Sequence, residues 1–467
     1  MPIASLTHHR FKAAALLGAI GLVRDEDRRC LGMRDGFSHV KYSFVLEQAP
    51  ACLGAEPRTA FELVITAAPR PSSRNGSNVK IAQIAPLFES VPPRLYGGTE
   101  RVVSYLTEEL VRQGHQVTLF ASQDSFTSAE LVPCSTRALR LDPDVRDPVP
   151  HYMVMLDKVR ERIEDFDILH FHIDYLHFPL FRHEYARTLT TIHGRQDLSD
   201  HLPFYRRFAD MPLASISNAQ RTPLPGANFI GTVNHGLPSD LLRPKVDRSA
   251  GGYLAFIGRI SPEKRPDRAI AIARAAGLPL KIAAKVDKAD ETYFQDIIAP
   301  MLNGPNIEFI GEISENAKSD FLGRAAALLF PIDWPEPFGL VMIEAMACGT
   351  PVLAFRHGSV PEVIDDGLTG CIVSDVDEAV LALPGLLALD RNAIRARFEE
   401  RFSAGRMTSD YVRLYQKMVA IQRRKNECPT LAPPATALSG VIASSAASQS
   451  EWADDDFNYL VKLAARA

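Results

Sequence analysis

Two glutamates stand eight residues apart in the second half of the chain. An apolar run ending at Pro331 leads into Ile-Asp-Trp-Pro-Glu-Pro-Phe-Gly-Leu, in which Glu336 lies, and Glu344 follows it. The pattern predicts a strand, a loop, and then a helix from about Phe338 to Gly349. Eight residues make about two helical turns, or ~12 Å, so both carboxylates can face one cleft. One could reach the hydroxyls of a sugar and the other a more distant polyol such as ribose, beside the anion-attracting start of the helix.

A pair of basic residues follows an earlier predicted strand over 253–260. That strand leads into Gly-Arg-Ile-Ser-Pro-Glu-Lys-Arg-Pro, which places Arg259 and Lys264 beside its carboxyl end. Ligands of parallel α/β sheets bind beyond the carboxyl ends of the strands. Two cations at this position would neutralise a diphosphate. A solvated basic turn is the alternative interpretation of the same residues taken alone.

Composition and missing motifs narrow the possible functions. The 467 residues contain no G-x-x-x-x-G-K-[ST] loop, no G-x-G-x-x-G turn after a strand, no G-x-S-x-G elbow and no H-E-x-x-H helix. The 52 Lys and Arg against 56 Asp and Glu give a net charge of −4, which argues against a nucleic-acid binder. The six cysteines show no paired spacing, which favours a reducing compartment over a disulfide framework.

A short apolar run near the start of the chain bears on location. It spans 13–23, which is too short to cross a bilayer, and the basic residues before it imitate the beginning of a secretion signal. An acidic and basic stretch follows at once and argues against cleavage and export. We therefore expect a cytoplasmic protein whose contact with membranes is at most peripheral, because no long basic amphipathic helix is evident.

The elements that must position the charged residues alternate between strand and helix. Alternation of this kind predicts mostly parallel sheets covered on both faces, which is an α/β fold. The pattern breaks near 244–252 and then restarts, so the sequence predicts two doubly wound, Rossmann-like domains that face each other across a cleft. The predicted strands are 79–86, 116–122, 168–172, 188–193, 213–217 and 229–233, then 253–260, 281–286, 307–310, 326–331, 352–355 and 371–373.

The expected domain organisation follows from these breaks. Residues 1–78 lack a sustained pattern and are expected to be a disordered extension, with a targeting or regulatory arm as the alternative. Residues 79–247 form the first predicted domain and 248–402 the second. A helix over 403–425 follows, and the Pro-, Ala- and Ser-rich residues 426–467 are expected to be a flexible tail, or else a docking peptide.

The motifs in combination resemble those of the retaining glycosyltransferases of family 4, which have the GT-B fold. The resemblance covers about 79–424. It implies a nucleotide-sugar donor bound mainly by the second domain and an acceptor bound mainly by the first. The segments that carry it are Gly97-Gly98-Thr99-Glu100, Gly258-Arg259 through Lys264, Glu336-Pro-Phe-Gly-Leu through Glu344, and Gly358-Ser-Val-Pro-Glu362.

The resemblance also implies roles for individual residues. The matching Arg259 and Lys264 would grip the diphosphate and stabilise the leaving group. Glu336 would hold hydroxyls of the donor sugar, and Glu344 would hold the ribose. The expected further donor contacts are the backbone N–H groups around Phe338, Gly339 and Leu340, the close approach that Gly97 and Gly98 allow, and a sugar-positioning role for His193.

Three other features remain open from the sequence. Lys285 stands where family members often have a glycine turn, so it could add a donor contact or be a solvated strand end. His170 and His172 share one face of a strand, and we expect a hydrogen-bonded or cleft-lining role rather than a metal site, since no third ligand is evident. The Asp-Pro-Asp run over 142–144 is expected to be a loop.

These features predict an enzyme, a hexosyltransferase. It would move a hexose from a UDP- or GDP-sugar to an acceptor hydroxyl with retention of anomeric configuration, and without a metal or other cofactor. The acceptor could be a lipid, a glycan or a small metabolite. Two alternatives stay open: a GT-B sugar-nucleotide epimerase, which would convert the donor without an acceptor, and a non-catalytic sugar-nucleotide-binding scaffold.

Overall fold

The computed structural model describes residues 78–94, 97–245, 252–304 and 306–427, with side chains up to residue 422. The expected disordered extension, apart from Asn78, and the expected tail after residue 427 lie outside the described residues.

Seven parallel strands form the first sheet, in the order β3-β2-β1-β4-β5-β6-β7. The chain runs outward from β1 to β3 on one side and then from β4 to β7 on the other, so the strand order reverses between β1 and β4. The crevice outside the carboxyl ends of these two strands is where such a sheet binds ligands. The strands are β1 (Lys80–Ile84), β2 (Gln116–Ser122), β3 (Glu130–Ser135), β4 (Ile168–Phe171), β5 (Thr188–Thr191), β6 (Leu213–Ser215) and β7 (Phe229–Thr232).

Six parallel strands form the second sheet, in the order β10-β9-β8-β11-β12-β13. Its strand order reverses between β8, which ends at Arg259, and β11, which precedes the loop that contains Glu336. The strands are β8 (Leu254–Arg259), β9 (Leu280–Lys285), β10 (Ile307–Gly311), β11 (Ala327–Phe330), β12 (Val352–Phe355) and β13 (Gly370–Val373). We call the parts of the chain built on the two sheets the first lobe and the second lobe. Two parallel α/β sheets confirm the predicted fold class.

Helices pack on both faces of each sheet, which is why central strands such as β4, β11 and β12 are buried along their whole length. The helices are α1 (Gly98–Arg112), α2 (Val149–Glu161), α3 (Phe178–Phe181), α4 (His201–Arg207), α5 (Asn218–Arg221), α6 (Pro266–Ala276), α7 (Glu291–Tyr293), α8 (Glu315–Arg324), α9 (Leu340–Ala347), α10 (Val360–Val363), α11 (Val376–Leu387), α12 (Arg391–Phe402) and α13 (Ala404–Glu427).

Two local predictions need correction. The sequence analysis missed β3, an edge strand that carries Pro133 and is only partly buried, so it lacks the continuous apolar run of a central strand. The helix expected to start at Phe338 starts at Leu340. Gly339 holds a left-handed backbone conformation with φ 79°, which ends the preceding loop before the helix can form. Residues 142–144 lie outside any helix or strand, as predicted.

The last helix returns to the first lobe. Leu237 pairs with Ser403 as an isolated bridge, and an added Cβ on Gly236 would lie 2.4 Å from the Ser403 carbonyl oxygen, so the chain crosses here at backbone contact. Beyond this crossing, Tyr411 hydrogen-bonds Thr191 of β5 at 3.0 Å, and the Tyr415 hydroxyl bonds His170 Nδ1 at 2.8 Å. The helix therefore ties the end of the second lobe to the first sheet.

In the described part of the chain, Cys134, Cys348 and Cys371 have free thiols. None of the helices described there combines the length and the apolar character that a membrane span needs.

Gly358 gives a test of how the fold positions Glu336. Its φ is 53°, and an added Cβ would lie 2.3 Å from the backbone oxygen of Glu336, so Gly358→Ala must displace that loop. Gly367 is the matched control, with φ 79° and no atom within 4 Å of an added Cβ. Left-handed strain costs each variant about 1–2 kcal/mol. Overpacking should cost Gly358→Ala a further 1–3 kcal/mol or so. Chemical unfolding measures both; equal losses would contradict this account.

Candidate active site

The charged residues singled out from the sequence gather at the strand-order reversal of the second sheet. Arg259 and Lys264 lie at the end of β8 and in the loop after it, and Glu336 lies in the loop between β11 and α9. Lys264 and Glu336 are 72 residues apart in the chain, yet their side chains form an ion pair. The parallel topology brings them together, because adjacent strands end at the same edge of the sheet.

Trp334 contacts both residues of this ion pair, and the sequence analysis did not single it out. Its indole Nε1 donates a hydrogen bond of 3.0 Å to Glu336 Oε2, the same oxygen that Lys264 contacts. The Lys264 ammonium lies 4.6 Å from the centroid of the Trp334 ring and 5.8 Å from that of Phe330. The Glu336 side chain is only 10% exposed. Two donors and an aromatic wall thus hold one carboxylate in place.

Arg259 is surrounded by acidic side chains. Its guanidinium lies 3.1 Å from Glu263, 3.6 Å from Asp290 and 3.9 Å from Asp287. Lys285, at the end of the neighbouring strand β9, contacts Asp287 at 2.8 Å. Both predicted diphosphate cations, Arg259 and Lys264, are therefore neutralised by carboxylates of the protein itself.

A cavity between the lobes contains five of the predicted donor-binding residues. Gly98 comes close to the second lobe, since an added Cβ there would lie 3.6 Å from a Leu340 methyl group. Gly97 has φ 147°, and its added Cβ would meet Pro93 at 2.8 Å, so neither conformation nor space favours a larger residue. The predicted residues that line the cavity are Gly97, Gly98, Lys285, Leu340 and Glu344, and Gly258, next to Arg259, also lines it.

Glu344 is held by a partner that the sequence analysis missed. Lys318 Nζ lies 2.7 Å from its Oε1 and 3.3 Å from Glu315, and Glu315 forms an ion pair with Arg101 on α1 of the first lobe. Burial lowers the pKa of Lys318, an effect that Glu344 opposes. The sequence analysis expected Glu336 and Glu344 to face one cleft. Glu344 lines the cavity, whereas Glu336 is not among the lining residues and packs against Gly339.

The start of α9 offers free donors. Phe338 is 2% exposed and contributes its ring to the core, so only its backbone is available to a ligand. Among the described residues, the N–H groups of Phe338, Gly339 and Leu340 donate to no protein acceptor. This agrees with the general rule that the first N–H groups of a helix lack partners within the helix.

The half-buried His193 ends a chain of hydrogen bonds that runs into the core of the first lobe. Its Nε2 lies 2.9 Å from His172 Nδ1, and His172 Nε2 lies 2.7 Å from the side-chain amide oxygen Oε1 of Gln83. His193 also stacks on His235 at 5.3 Å, and His235 contacts the Phe338 ring at 4.9 Å. Burial lowers the pKa of His193 to about 3, so the ring is neutral. The sequence analysis missed His235, which joins His193 to the start of α9.

His170 and His172 lie side by side, with ring centroids 4.1 Å apart, as their shared strand face predicts. His170 Nε2 bonds Thr191 at 2.7 Å, so both histidines have neutral hydrogen-bond partners. Among the residues that the structure describes, no group of three or more His, Cys, Asp and Glu side chains is arranged to hold a metal ion.

Comparison with known proteins identifies the family. The model for "Glycosyltransferase Family 4" matches residues 96–224, and that for "Glycosyl transferases group 1" matches residues 242–402. Together they cover more than half of the chain and both lobes. The chain belongs to the glycosyltransferases of family 4, as its motifs predicted.

Curated relatives match over part of their length. The chain is 30% identical over 228 residues to D-inositol 3-phosphate glycosyltransferase 2 of Catenulispora acidiphila, covering 42% of this chain and 53% of the relative. It is 30% identical over 210 residues to the D-inositol 3-phosphate glycosyltransferase of Mycobacterium marinum, covering 42% of this chain and 45% of the relative. The matches thus span about half the length of these proteins.

Solved structures show the same fold. Sucrose-phosphate synthase from Thermosynechococcus elongatus superposes with a TM-score of 0.61 at 19% identity, covering 73% of this chain and 100% of that one. AviGT4, a glycosyltransferase involved in avilamycin A biosynthesis, gives 0.58 at 23% identity, covering 73% and 98%. HepE from Anabaena in complex with UDP and glucose gives 0.55 at 14% identity, covering 73% and 100%. These likenesses confirm the predicted GT-B fold.

The buried histidines predict a pH-dependent stability. Burial lowers the pKa of His170, His172, His177, His193 and His235. In the unfolded chain the histidines have pKa values of about 6.5. Below that pH the unfolded chain therefore binds more protons than the folded chain does. The free energy of unfolding should be highest above pH ~6.5 and fall as the pH drops towards the lowered folded values, by up to about 1.4 kcal/mol per pH unit for each histidine.

Urea unfolding at pH 7.5 and 5.5 measures this loss. His177, which lies outside the cavity and bonds Thr190 at 2.9 Å, provides the variant: His177→Gln should reduce the difference between the two pH values. Exposed His183→Ala is the control and should leave the difference unchanged. Equal stability of the unaltered protein at both pH values would refute the prediction.

Proposed function

We propose that the protein transfers a hexose from a nucleotide-diphosphate sugar, with UDP or GDP as the nucleotide, to an acceptor hydroxyl with retention of anomeric configuration. The observation that carries the proposal is the cavity between the lobes. Its walls combine Gly97 and Gly98 of the first lobe with Leu340 and Glu344 of the second, and Gly258 connects it to the cation Arg259. The complexes of HepE with UDP and with UDP-glucose support this kind of donor for the fold.

The diphosphate binds at Arg259 and Lys264. Breaking the bond between sugar and phosphate leaves negative charge on the departing diphosphate and develops positive charge on the sugar. Once the donor is bound, cations held by phosphate oxygens at the strand ends stabilise the first charge without further reorganisation, and the free N–H groups at the start of α9 add to this effect. Arg259 and Lys264 must exchange their present carboxylate partners for phosphate oxygens when the donor arrives. These groups supply the stabilisation without a metal.

The sugar lies between Glu336 and His193. Once Lys264 turns to the diphosphate, the Glu336 carboxylate is free to accept hydrogen bonds from sugar hydroxyls, while Trp334 Nε1 keeps it oriented. His193 contributes from the opposite lobe as a neutral ring, since burial keeps its pKa far below neutrality. A sugar held from both lobes lies in the correct place for a hydroxyl bound by the first lobe to attack it.

The ribose lies at Glu344. Lys318 contacts only Oε1 of this carboxylate, and among the described residues Oε2 accepts no hydrogen bond. Oε2 therefore remains for the ribose hydroxyls. Lys318 pairs with Glu344, because an unpaired carboxylate that is only 4% exposed would be costly.

Retention follows from a same-face reaction. With the donor bound, the Glu336 carboxylate accepts from the sugar hydroxyls and from Trp334 Nε1, so we assign it no nucleophilic step. The incoming hydroxyl approaches on the side of the departing diphosphate, gives its proton to a phosphate oxygen, and forms the new glycosidic bond as the old one breaks. A product with inverted anomeric configuration would overturn this part of the proposal.

Nucleoside diphosphate release from a panel of UDP-, GDP- and ADP-sugars tests the proposal on the full chain. One donor should be hydrolysed slowly without an acceptor, and Glu336→Ala should lower that rate about 100-fold or more, the usual effect of losing one transition-state contact. Exposed Glu399→Ala is the matched control and should behave like the unaltered protein.

Three other outcomes would contradict the proposal. An epimerase would convert the donor sugar without releasing nucleoside diphosphate. A scaffold would bind a donor, seen as a rise in melting temperature, and leave it intact. Release that survives Glu336→Ala would remove Glu336 from the site.

A further inference from the structure

A third cation approaches the diphosphate site from the first lobe. Arg195 follows β5 two residues after His193, and its guanidinium lies 5.7 Å from the centroid of the Trp334 ring. Lys264 lies 4.6 Å from the same ring. The Trp334 ring is thus shared by a cation of each lobe, and Arg195 lies beside the ring that also contacts Lys264.

The hydrogen bonds of Arg195 fix which of its atoms faces the second lobe. Its Nε and Nη2 each donate to a different oxygen of Asp197 at 2.7 Å, which is the paired geometry that arginine forms with a carboxylate. These two hydrogen bonds fix the plane of the guanidinium group, and Nη1 is the nitrogen that does not contact Asp197. Nη1 donates to Glu263 Oε1 across the cleft at 3.4 Å, a long contact for a charged pair.

Glu263 connects this arginine to the first diphosphate cation. Its Oε2 accepts from Arg259 Nη2 at 3.1 Å, while its Oε1 faces Arg195. One carboxylate therefore lies between two guanidinium groups from different lobes. A phosphate group also offers two neighbouring oxygens to two donors, carries more charge, and forms strong bidentate contacts with arginine.

We propose that Arg195 is a third diphosphate-binding residue, supplied by the first lobe, and that Glu263 occupies the diphosphate position until the donor binds. The inference rests on the proposed function and deepens it. Binding of the donor displaces the Glu263 carboxylate, and a phosphate oxygen takes its place between Arg195 Nη1 and Arg259 Nη2. The diphosphate then bridges the lobes, so its arrival closes the cleft around the sugar.

Calorimetric titration of the full chain with inorganic pyrophosphate, UDP and uridine at low salt tests the inference. Arg195→Gln should weaken the binding of pyrophosphate and UDP about tenfold, since a hydrogen bond to a charged group is lost, and leave uridine binding unchanged. Arg195→Lys keeps the charge and should recover part of the loss. Glu263→Gln should tighten pyrophosphate binding several-fold, because the diphosphate no longer has to displace a carboxylate.

Two controls separate this inference from the proposed function. Exposed Arg206→Gln removes a charge from the same lobe and should change nothing. Arg259→Gln should weaken pyrophosphate binding whether or not Arg195 takes part. Normal pyrophosphate binding by Arg195→Gln, together with a defect in Arg259→Gln, would overturn the inference and leave the proposed function standing. A defect in neither would overturn both, and an equal loss of uridine binding in Arg195→Gln would show an effect on the fold instead.

Discussion

The ion pair between Lys264 and Glu336 is the interaction on which the rest of the site depends. A carboxylate and an ammonium in a cleft of low exposure must be paired, because an isolated buried charge is expensive. Trp334 contacts both members of this pair. Its indole N–H donates a hydrogen bond to the Glu336 carboxylate, and the face of its ring packs against the Lys264 ammonium. The same pairing recurs where Arg259 meets Glu263 and where Lys318 meets Glu344. In the proposed reaction, the diphosphate binds to the cations of the first two pairs, and the ribose binds to Glu344 of the third.

The two sheets explain how such pairs can form between distant parts of the chain. Each sheet reverses its strand order once, and each reversal presents loops from adjacent strands at one edge. The loops after β8 and β11 bring Arg259, Lys264 and Glu336 together, and the loop after β5 brings His193 and Arg195 to face them. Helix α13 then returns to the first sheet, where Tyr411 and Tyr415 join the hydrogen bonds around His170 and Thr191. The helix that ties the lobes thus also contacts the buried residues of β4 and β5 that lie next to His193 in the first sheet.

Much of the fold was predictable, because buried parallel strands are continuous apolar runs, and because helices such as α1 and α6 end beside a glycine, Gly114 and Gly277. The family followed from motifs whose residues stand close together in the chain. The structure showed Trp334 as the partner of Glu336, two residues away, and it showed two contacts between residues that are distant in the chain: Lys318 beside Glu344, and His235 against His193. No spacing rule predicts such pairs. Local chemistry also overrode pattern at Gly339, whose left-handed conformation delays the start of α9, and at the edge strand β3, whose partial burial hides it.

The central claim is that the cations of the site exchange the protein's own carboxylates for the diphosphate of the donor. A crystal structure of the full chain with UDP bound tests this most directly. The account predicts Arg259 and Lys264 in contact with phosphate oxygens, Glu336 released from Lys264 but still bonded to Trp334, and the ribose at Glu344. A structure in which UDP binds elsewhere, with the Lys264–Glu336 and Arg259–Glu263 pairs intact, would contradict it.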